Sequence, residues 1–293
     1  MLEIKKVSKR YKNQLVLDEI SYTFDVAGIW ALVGPNGIGK TTLLNCITNI
    51  LNVDEGTVTI GGISNKNPSI FKKLSYLQDN NVLFDELTGY DHLTYIREVH
   101  KSPKKRVQEV ADYVGMSSYL KKRVGNYSLG MKQHLLLAMA ILPEPRVILL
   151  DEPLNGLDPS SAILMRKILL ELAAKGTIIL LSSHNLAEVD KVTQNILFLK
   201  GGKLHEVHTG EHERIIYSLE LSDSVRGKTL IENYGEKVWM EDDILKVETK
   251  PVHVAPILSL LHQEGILVED IAKETTGTEA LYEELFHPSE VRV

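Results

Sequence analysis

The 293-residue sequence has a single cysteine, Cys46, and no run of about 18 apolar residues. One cysteine excludes a disulfide framework within the chain and fits a reducing compartment. Cys46 lies in an apolar helical segment, which predicts a small core residue rather than a redox or catalytic one. Without a long apolar run or the apolar stretch of a secretion signal near its start, we expect a cytoplasmic chain that reaches a membrane only through a partner.

Positive charge is also scarce, since the formal net charge is −6 and the isoelectric point is about 6.0. The one basic cluster, residues 104–106, is short and has the setting of a solvated helix face. We therefore expect no nucleic-acid partner. His205, His208 and His212 are close in sequence, but they lack partner cysteines and do not predict a zinc site.

Short apolar runs alternate with helical patterns over the first two-thirds of the chain. Strands are predicted at residues 29–33, 57–60, 147–150 and 177–181, and helices at 41–50 and 162–174. This alternation, with continuously apolar strands, predicts a parallel α/β sheet covered on both faces. The polar, periodic residues 90–127 predict a helical insert, and residues 195–207 predict a closing hairpin around Gly201 and Gly202.

The pattern changes after about residue 210. Strands are predicted at 215–221, 237–240, 244–249 and 266–271, with an acidic turn at 241–243. Helices are predicted at 225–234, 254–263 and 279–286, the second starting near Pro256. This order is that of a ferredoxin-like split βαβ unit, so we expect a small α+β domain over residues 211–293. It carries no chemical motif, and both a regulatory or dimer-supporting role and a purely structural one stay open.

Residues 34–41, G-P-N-G-I-G-K-T, form the strongest motif, the G-x-x-x-x-G-K-T phosphate-binding loop. The motif follows a predicted strand and opens a predicted helix, as it must to bind phosphate. Glycines let backbone N–H groups approach phosphate oxygens, and the helix N-terminus adds a positive field. Lys40 is placed for the β- and γ-phosphates, and the Thr41 hydroxyl for Mg²⁺.

An apolar strand ends in two adjacent acids, Asp151 and Glu152. Two acids at a strand end are by default solvated, but a phosphate loop upstream changes that expectation. Consecutive strand residues point to opposite faces, so the two carboxylates can have different roles. Asp151 suits Mg²⁺, directly or through water, and Glu152 suits polarising an attacking water.

With these two motifs, the chain resembles the nucleotide-binding subunit of an ATP-binding-cassette transporter. Five further elements match that family in order over residues 1–210. They are an upstream aromatic, Tyr11; a glutamine loop with Gln78; a signature at 127–133, Y-S-L-G-M-K-Q; a loop at 155–158, N-G-L-D; and a switch histidine in Ser183-His184.

The resemblance implies a P-loop NTPase cassette of the α/β class, with an antiparallel β subdomain and a helical insert at about residues 88–135. It implies ATP and Mg²⁺ as ligands, and a head-to-tail pair of cassettes in which each ATP lies between one phosphate loop and the other subunit's signature. Glu152, His184 and Gln78 would be catalytic, and Thr41, Gln78 and Asp151 would serve the metal. The implied nucleotide contacts are Tyr11, Gly34, Asn36, Gly37, Gly39, Lys40, Thr41, Thr42, Ser128, Gly130 and Asp158.

The sequence departs from the family pattern at two positions. Leu129 stands where the common signature has a glycine, and adds a side chain close to where a partner's nucleotide would lie. The resulting Tyr-Ser-Leu-Gly-Met form resembles a variant of bacterial export cassettes. His134 stands where an arginine is usual, which affects a helix contact rather than the chemistry.

The resemblance favours a cassette that drives a separate exporter permease for an antibiotic, a peptide or a lipid. The chain has one cassette, and its tail resembles the small C-terminal subdomain of drug-export cassettes. Two alternatives stay open: a soluble cassette ATPase that acts on ribosomes or DNA, and an importer cassette. The cargo and the choice between a homodimer and a related partner are not encoded in the motifs.

Overall fold

The computed structural model describes residues 1–12, 14–78, 80–209, 215–241, 244–249, 251–275 and 278–286. The chain divides into two compact units, with the boundary between Val207 and His208. Elements of the first unit are β1 (Leu2–Tyr11), β2 (Gln14–Phe24), β3 (Gly28–Val33), α1 (Lys40–Ile47), β4 (Glu55–Ile60), β5 (Ile63–Ser64), β6 (Leu74–Leu77), α2 (Gly89–His100), α3 (Arg106–Tyr113), α4 (Leu129–Ile141), β7 (Val147–Asp151), α5 (Pro159–Ala174), β8 (Ile178–Ser183), α6 (Leu186–Val189), β9 (Asn195–Lys200) and β10 (Lys203–His208).

A six-stranded sheet organises the first unit, in the order β10-β9-β3-β8-β7-β6. The five strands from β9 to β6 run parallel, which confirms the predicted α/β class. β7 and β8 are almost wholly buried, because helices and the second sheet cover both faces. The carboxyl ends of parallel strands meet at one edge, so β3, β7 and β8 deliver the segments that follow them to the same place.

The second sheet of this unit is antiparallel, in the order β2-β1-β4-β5. Register shifts interrupt the β1–β2 pairing, and Lys6 and Glu19 adopt positive φ angles of 46° and 49° there. These bulges break the two-residue alternation that marks a strand in sequence. Leu2 and Phe24 from this sheet share a core with Leu32 of the parallel sheet and Leu43 of α1.

Helices α2, α3 and α4 occupy the stretch where a helical insert is expected. Thr88 begins α2 with a capping box, because its hydroxyl accepts from the Asp91 N–H while the Asp91 carboxylate accepts from the Thr88 N–H. Ser128 caps α4, which continues to Ile141. The helix therefore extends past residue 135, the expected limit of the insert.

The second unit contains β11 (Ile215–Leu221), α7 (Ser224–Asn233), β12 (Lys237–Glu241), β13 (Ile244–Glu248), α8 (Pro251–Gln263), β14 (Val268–Thr275) and α9 (Thr278–Phe286). Its strands pair antiparallel in the order β12-β13-β11-β14. This is the strand order of a ferredoxin-like split βαβ unit, which confirms that part of the fold prediction. Leu219, Leu245 and Val247 of the sheet pack with Ile257 and Leu261 of α8.

The predicted start of α8 near Pro256 is wrong. The helix begins at Pro251, and Pro256 lies inside it. A proline at the first helical position costs no hydrogen bond, whereas an interior proline removes one. Ile257 and Leu261, both buried, hold the helix against the sheet in spite of that loss.

The predicted strand at 266–271 is displaced to β14, which starts at Val268. His212 and the acidic turn residues Asp242 and Asp243 lie outside the described residues. Across the ranges that the structure describes, none of the helices has the length and apolar character required to cross a lipid bilayer.

Candidate functional site

The phosphate loop links β3 to α1 at the carboxyl edge of the parallel sheet. Gly39 precedes α1 with a φ angle of 117°, and a Cβ built there would lie 2.7 Å from Val16 Cγ1. Only glycine fits that conformation and that contact. No side chain caps α1, so its first backbone N–H groups remain available to an anion, as the motif predicts.

The loop opens onto a cavity of about 280 Å³. Residues from the loop, from α1 and from the end of β7 converge on it, although about 110 positions separate them in sequence. The structure therefore brings together most of the nucleotide and metal residues expected from the sequence. The cavity lining is Asn36, Gly37, Gly39, Lys40, Thr41, Thr42, Asp151 and Glu152.

Lys40 is the cation of this cavity, and only 6% of its side chain is exposed. Its Nζ donates to the Gly34 carbonyl at 2.7 Å and lies 3.6 Å from Glu152 Oε1. The ammonium group is thus fixed at the end of the loop, beside a carboxylate. A phosphate oxygen that enters the cavity would meet a positive charge whose side chain is already fixed, so binding would cost little conformational entropy.

Thr41 and Asp151 form the oxygen-donor pair of the site. Thr41 Oγ1 donates to Asp151 Oδ2 at 2.7 Å. A hydroxyl beside a carboxylate fits Mg²⁺, which binds one or two carboxylates and takes its remaining ligands from water and phosphate. These two residues would hold the ion.

Glu152 follows Asp151 with a positive φ angle of 52°. A left-handed backbone is costly for a residue with a side chain, roughly 1–3 kcal/mol, and persists only where neighbours hold it. His184 Nδ1 lies 2.9 Å from Glu152 Oε2, and the His184 N–H donates to the same oxygen at 3.4 Å. The predicted base and the predicted switch histidine are therefore in direct contact.

Ser182 is a buried residue of the site that none of the sequence motifs includes. Its Oγ accepts from the Glu152 N–H at 3.0 Å and donates to Asp151 Oδ1. A signal was present in the sequence, because β8 is apolar until it ends in two serines. When two parallel strands end side by side, a hydroxyl at the end of one lies next to the last residues of the other. Ser182 of β8 pairs with Asp151 of β7 in this way.

The signature residues form a second cluster, at the start of α4. The hydroxyl of Ser128 accepts from the Met131 N–H at 3.3 Å and is otherwise exposed. Gly130 lies so close to α5 that a Cβ would be 2.8 Å from Ser161 Oγ and 3.2 Å from Asp158 Oδ2. Asp158 caps α5, and the hydrogen bond from Ser161 lowers the pKa of its carboxyl group. A charged Asp158 thus lies directly behind the signature.

Both departures from the family signature have visible contacts. Leu129 is 42% exposed, and its Cδ2 lies 2.8 Å from where a Cβ of Gly156 would be. The leucine side chain thus packs against the loop at 155–158. His134 Nδ1 lies 3.0 Å from the Tyr119 hydroxyl, and burial lowers the pKa of the imidazole. A neutral ring therefore replaces the usual arginine at neutral pH.

Gln78 and Tyr11 lie away from the cavity lining. Gln78 follows β6 and lines a different cavity, of about 340 Å³. Tyr11 ends β1 with 47% of its side chain exposed, so its ring is accessible. Their predicted contacts with metal and adenine stay predictions.

Comparison with known proteins decides the family. The ABC transporter family model matches residues 17–155. The Bacillus subtilis ABC transporter ATP-binding protein YybJ is 31% identical over 219 residues, which cover 74% of this chain and 98% of that protein. The chain belongs to the ATP-binding subunits of ABC transporters. The bacitracin transport ATP-binding protein BcrA of Bacillus licheniformis is 30% identical over 289 residues (94% of this chain and 92% of that one), and the lantibiotic transport ATP-binding protein SrtF of Streptococcus pyogenes is 29% identical over 204 residues (70% and 89%).

Solved structures support the same assignment. An ATP-binding subunit of an ABC transporter superposes with a TM-score of 0.67 at 27% identity, over 72% of this chain and 91% of that one. A nucleotide-free ATP-binding cassette, at 24% identity and a TM-score of 0.62, shares the fold. As an ABC ATP-binding subunit, the chain binds and hydrolyses ATP. Such subunits work with transmembrane permeases.

Proposed function

We propose that this ABC subunit drives a separate permease that exports an antibiotic, a peptide or a lipid. Two relatives named for bacitracin and lantibiotic transport support this cargo class. The bacitracin relative aligns with 94% of the chain, so the likeness includes the second unit as well as the cassette. Through the permease, the chain would reside on the cytoplasmic face of the membrane.

In this proposal, each Mg–ATP binds between the phosphate loop of one cassette and the signature of another. The lining of the 280 Å³ cavity is the observation that supports a site shared by two cassettes. Among the described residues, this lining includes neither Ser128 nor Gly130. Ser128 is exposed at the N-terminus of α4, a place that favours an anion. A second subunit, identical or related, could supply these groups to the open side of the cavity.

Side chains of this chain can perform the hydrolysis once ATP is bound. Mg²⁺ at Thr41 and Asp151 would neutralise charge on the phosphates. Lys40, freed from the Gly34 carbonyl, would bind phosphate oxygens. Glu152 would then orient and deprotonate the attacking water, while His184 keeps its carboxylate in place.

The shared site can be tested with Ser128→Arg. A large cation at the start of α4 would block the approach of the second cassette, but would leave the phosphate loop intact. We expect ATP affinity close to that of the parent and no ATP-dependent dimer in size-exclusion chromatography. Ser118→Arg, at another exposed serine, in the turn that follows α3, is the control and should dimerise normally. If Ser128→Arg hydrolyses ATP like the parent, the shared site is wrong.

The permease would dock at the second cavity, beside Gln78. That cavity is lined mainly by apolar side chains of β6 and of helices α2 and α4, and Phe71 at its rim is 40% exposed. A short amphipathic helix of a permease fits such a groove. Among the described residues that line this cavity, Gln78 alone is also an expected site residue. It would therefore couple permease docking to the nucleotide site.

Co-isolation of the tagged chain from its native cells tests the partner. We expect a permease with several spans to accompany the parent and to be lost with Phe71→Asp. Ile163→Asp places the same charge at an apolar residue of α5 that is 58% exposed, and should retain the permease. Ribosomes in place of a permease would support the alternative of a soluble ATPase, and a permease with an extracellular binding protein would support an importer.

A further inference from the structure

Ser182 joins the two acidic residues that the proposed chemistry needs. Its side chain is fully buried, with an exposed fraction of 0%. One hydroxyl donates to Asp151 Oδ1 and accepts from the Glu152 N–H at 3.0 Å. Both hydrogen-bonding directions of the hydroxyl are therefore used, each on a different residue.

The hydrogen bond to Asp151 determines which carboxylate oxygen faces the cavity. Oδ1 is bound by Ser182, and Oδ2 is left to accept from Thr41 at 2.7 Å. A carboxylate held at one oxygen cannot rotate freely about its terminal bond. The second oxygen is then fixed beside the Thr41 hydroxyl, as a small ion with strict octahedral geometry requires.

The hydrogen bond to Glu152 holds its backbone. The φ angle of 52° at Glu152 is unfavourable for a residue with a Cβ and needs a partner to persist. Without the Ser182 hydroxyl, the Glu152 N–H would lose this acceptor at a buried strand end. The backbone direction at this residue determines where the carboxylate is presented to His184 and Lys40.

We propose that Ser182 is a positioning residue that orients the metal carboxylate of Asp151 and the base Glu152 through one hydroxyl group. This inference rests on the proposed roles of Asp151 and Glu152. It adds that the relative placement of the two acids depends on β8, the strand that His184 directly follows. Metal, base and switch histidine would thus be aligned from a single strand end.

Ser182→Ala tests the inference, with Ser182→Thr as the variant that keeps the hydroxyl. The loss of a buried hydrogen-bonding group should lower kcat for ATP by roughly 10- to 100-fold, because two acids lose their orientation. KM should rise by no more than the gain in affinity that Mg²⁺ gives the parent, since Lys40 and the loop remain. Ser182→Thr should recover most of kcat, and Ser182→Cys serves in its place if threonine does not fit the buried site.

A second readout is independent of turnover. The affinity for a fluorescent ATP analogue is measured with Mg²⁺ and with a chelator present. Ser182→Ala should bind the free nucleotide like the parent and lose most of the gain in affinity that Mg²⁺ provides. Ser183→Ala is the matched control, because that neighbouring buried hydroxyl accepts from the Asn185 N–H at 3.0 Å, away from both acids. It should keep the parent's Mg²⁺ effect.

Parent-like kcat and Mg²⁺ gain in Ser182→Ala would overturn the inference. An equal loss in Ser182→Ala and Ser183→Ala would also overturn it, since it would indicate a general effect on the strand. These failures differ from failure of the proposed site itself. If the proposed site itself were wrong, Lys40→Ala or Glu152→Gln would also behave like the parent. If only the inference about Ser182 were wrong, Ser182→Ala alone would do so.

Discussion

Glu152→Gln is expected to reduce ATP turnover by about 10² to 10⁴, the usual contribution of a positioned general base. The amide has almost the same shape as the carboxylate, and its oxygen can still lie near His184, which is 2.9 Å from Oε2. It cannot take a proton from the attacking water. Steady-state release of phosphate, measured at saturating Mg–ATP, gives the loss directly.

The same variant should still bind ATP, because Glu152 is not the group that holds phosphate. Since hydrolysis reopens the proposed dimer, Glu152→Gln should accumulate a closed dimer with Mg–ATP. Glu144→Gln, at an acid that is 75% exposed and does not line the cavity, is the control and should turn over normally. Normal turnover in Glu152→Gln would remove the assignment of the base.

Lys40→Ala should weaken ATP binding by roughly 10- to 100-fold, the range expected when a charge-assisted hydrogen bond is removed. Lys40 is the cation at the end of the phosphate loop, and only 6% of its side chain is exposed to solvent. Alanine would leave the phosphate oxygens facing Asp151 and Glu152 without a compensating charge. Equilibrium binding of a fluorescent ATP analogue measures the change.

Removal of Lys40 also removes its hydrogen bond to the Gly34 carbonyl, so the folding of the variant must be compared with the parent by thermal denaturation. Lys104→Ala, which neutralises a lysine before α3, provides a charge-matched control. It should leave ATP affinity unchanged. An unchanged affinity in Lys40→Ala would contradict the role of the phosphate loop.

The parallel sheet and its edge were predictable from sequence, because buried strands are continuously apolar and the phosphate loop has strict spacing. Asp151 and Glu152 were predictable for the same reason. The motif implies a strand, a turn and a helix, and each of these is found at its expected place, with α1 starting at Lys40. The ferredoxin-like unit followed from the order of its elements rather than from any single residue.

Other features depend on contacts that no local pattern encodes. The bulges at Lys6 and Glu19 hide the alternation of β1 and β2, so these two strands could not be located from the sequence. Pro256 alone predicts the start of a helix, but packing of α8 against the sheet places this proline in the helix interior. Ser182 acquires its contacts only when β8 pairs with β7, about 31 positions away in sequence.

The central claim is that ATP lies between two cassettes, and mixing two inactive variants tests it most directly. Lys40→Ala lacks a working phosphate loop, and Ser128→Ala lacks the signature hydroxyl without adding a side chain large enough to block pairing. A head-to-tail pair of the two rebuilds one intact site, so an equal mixture should regain up to about a quarter of the parent's ATPase rate. If each cassette contains its whole site, the mixture will show only the average of the two inactive variants, and the shared-site account is contradicted.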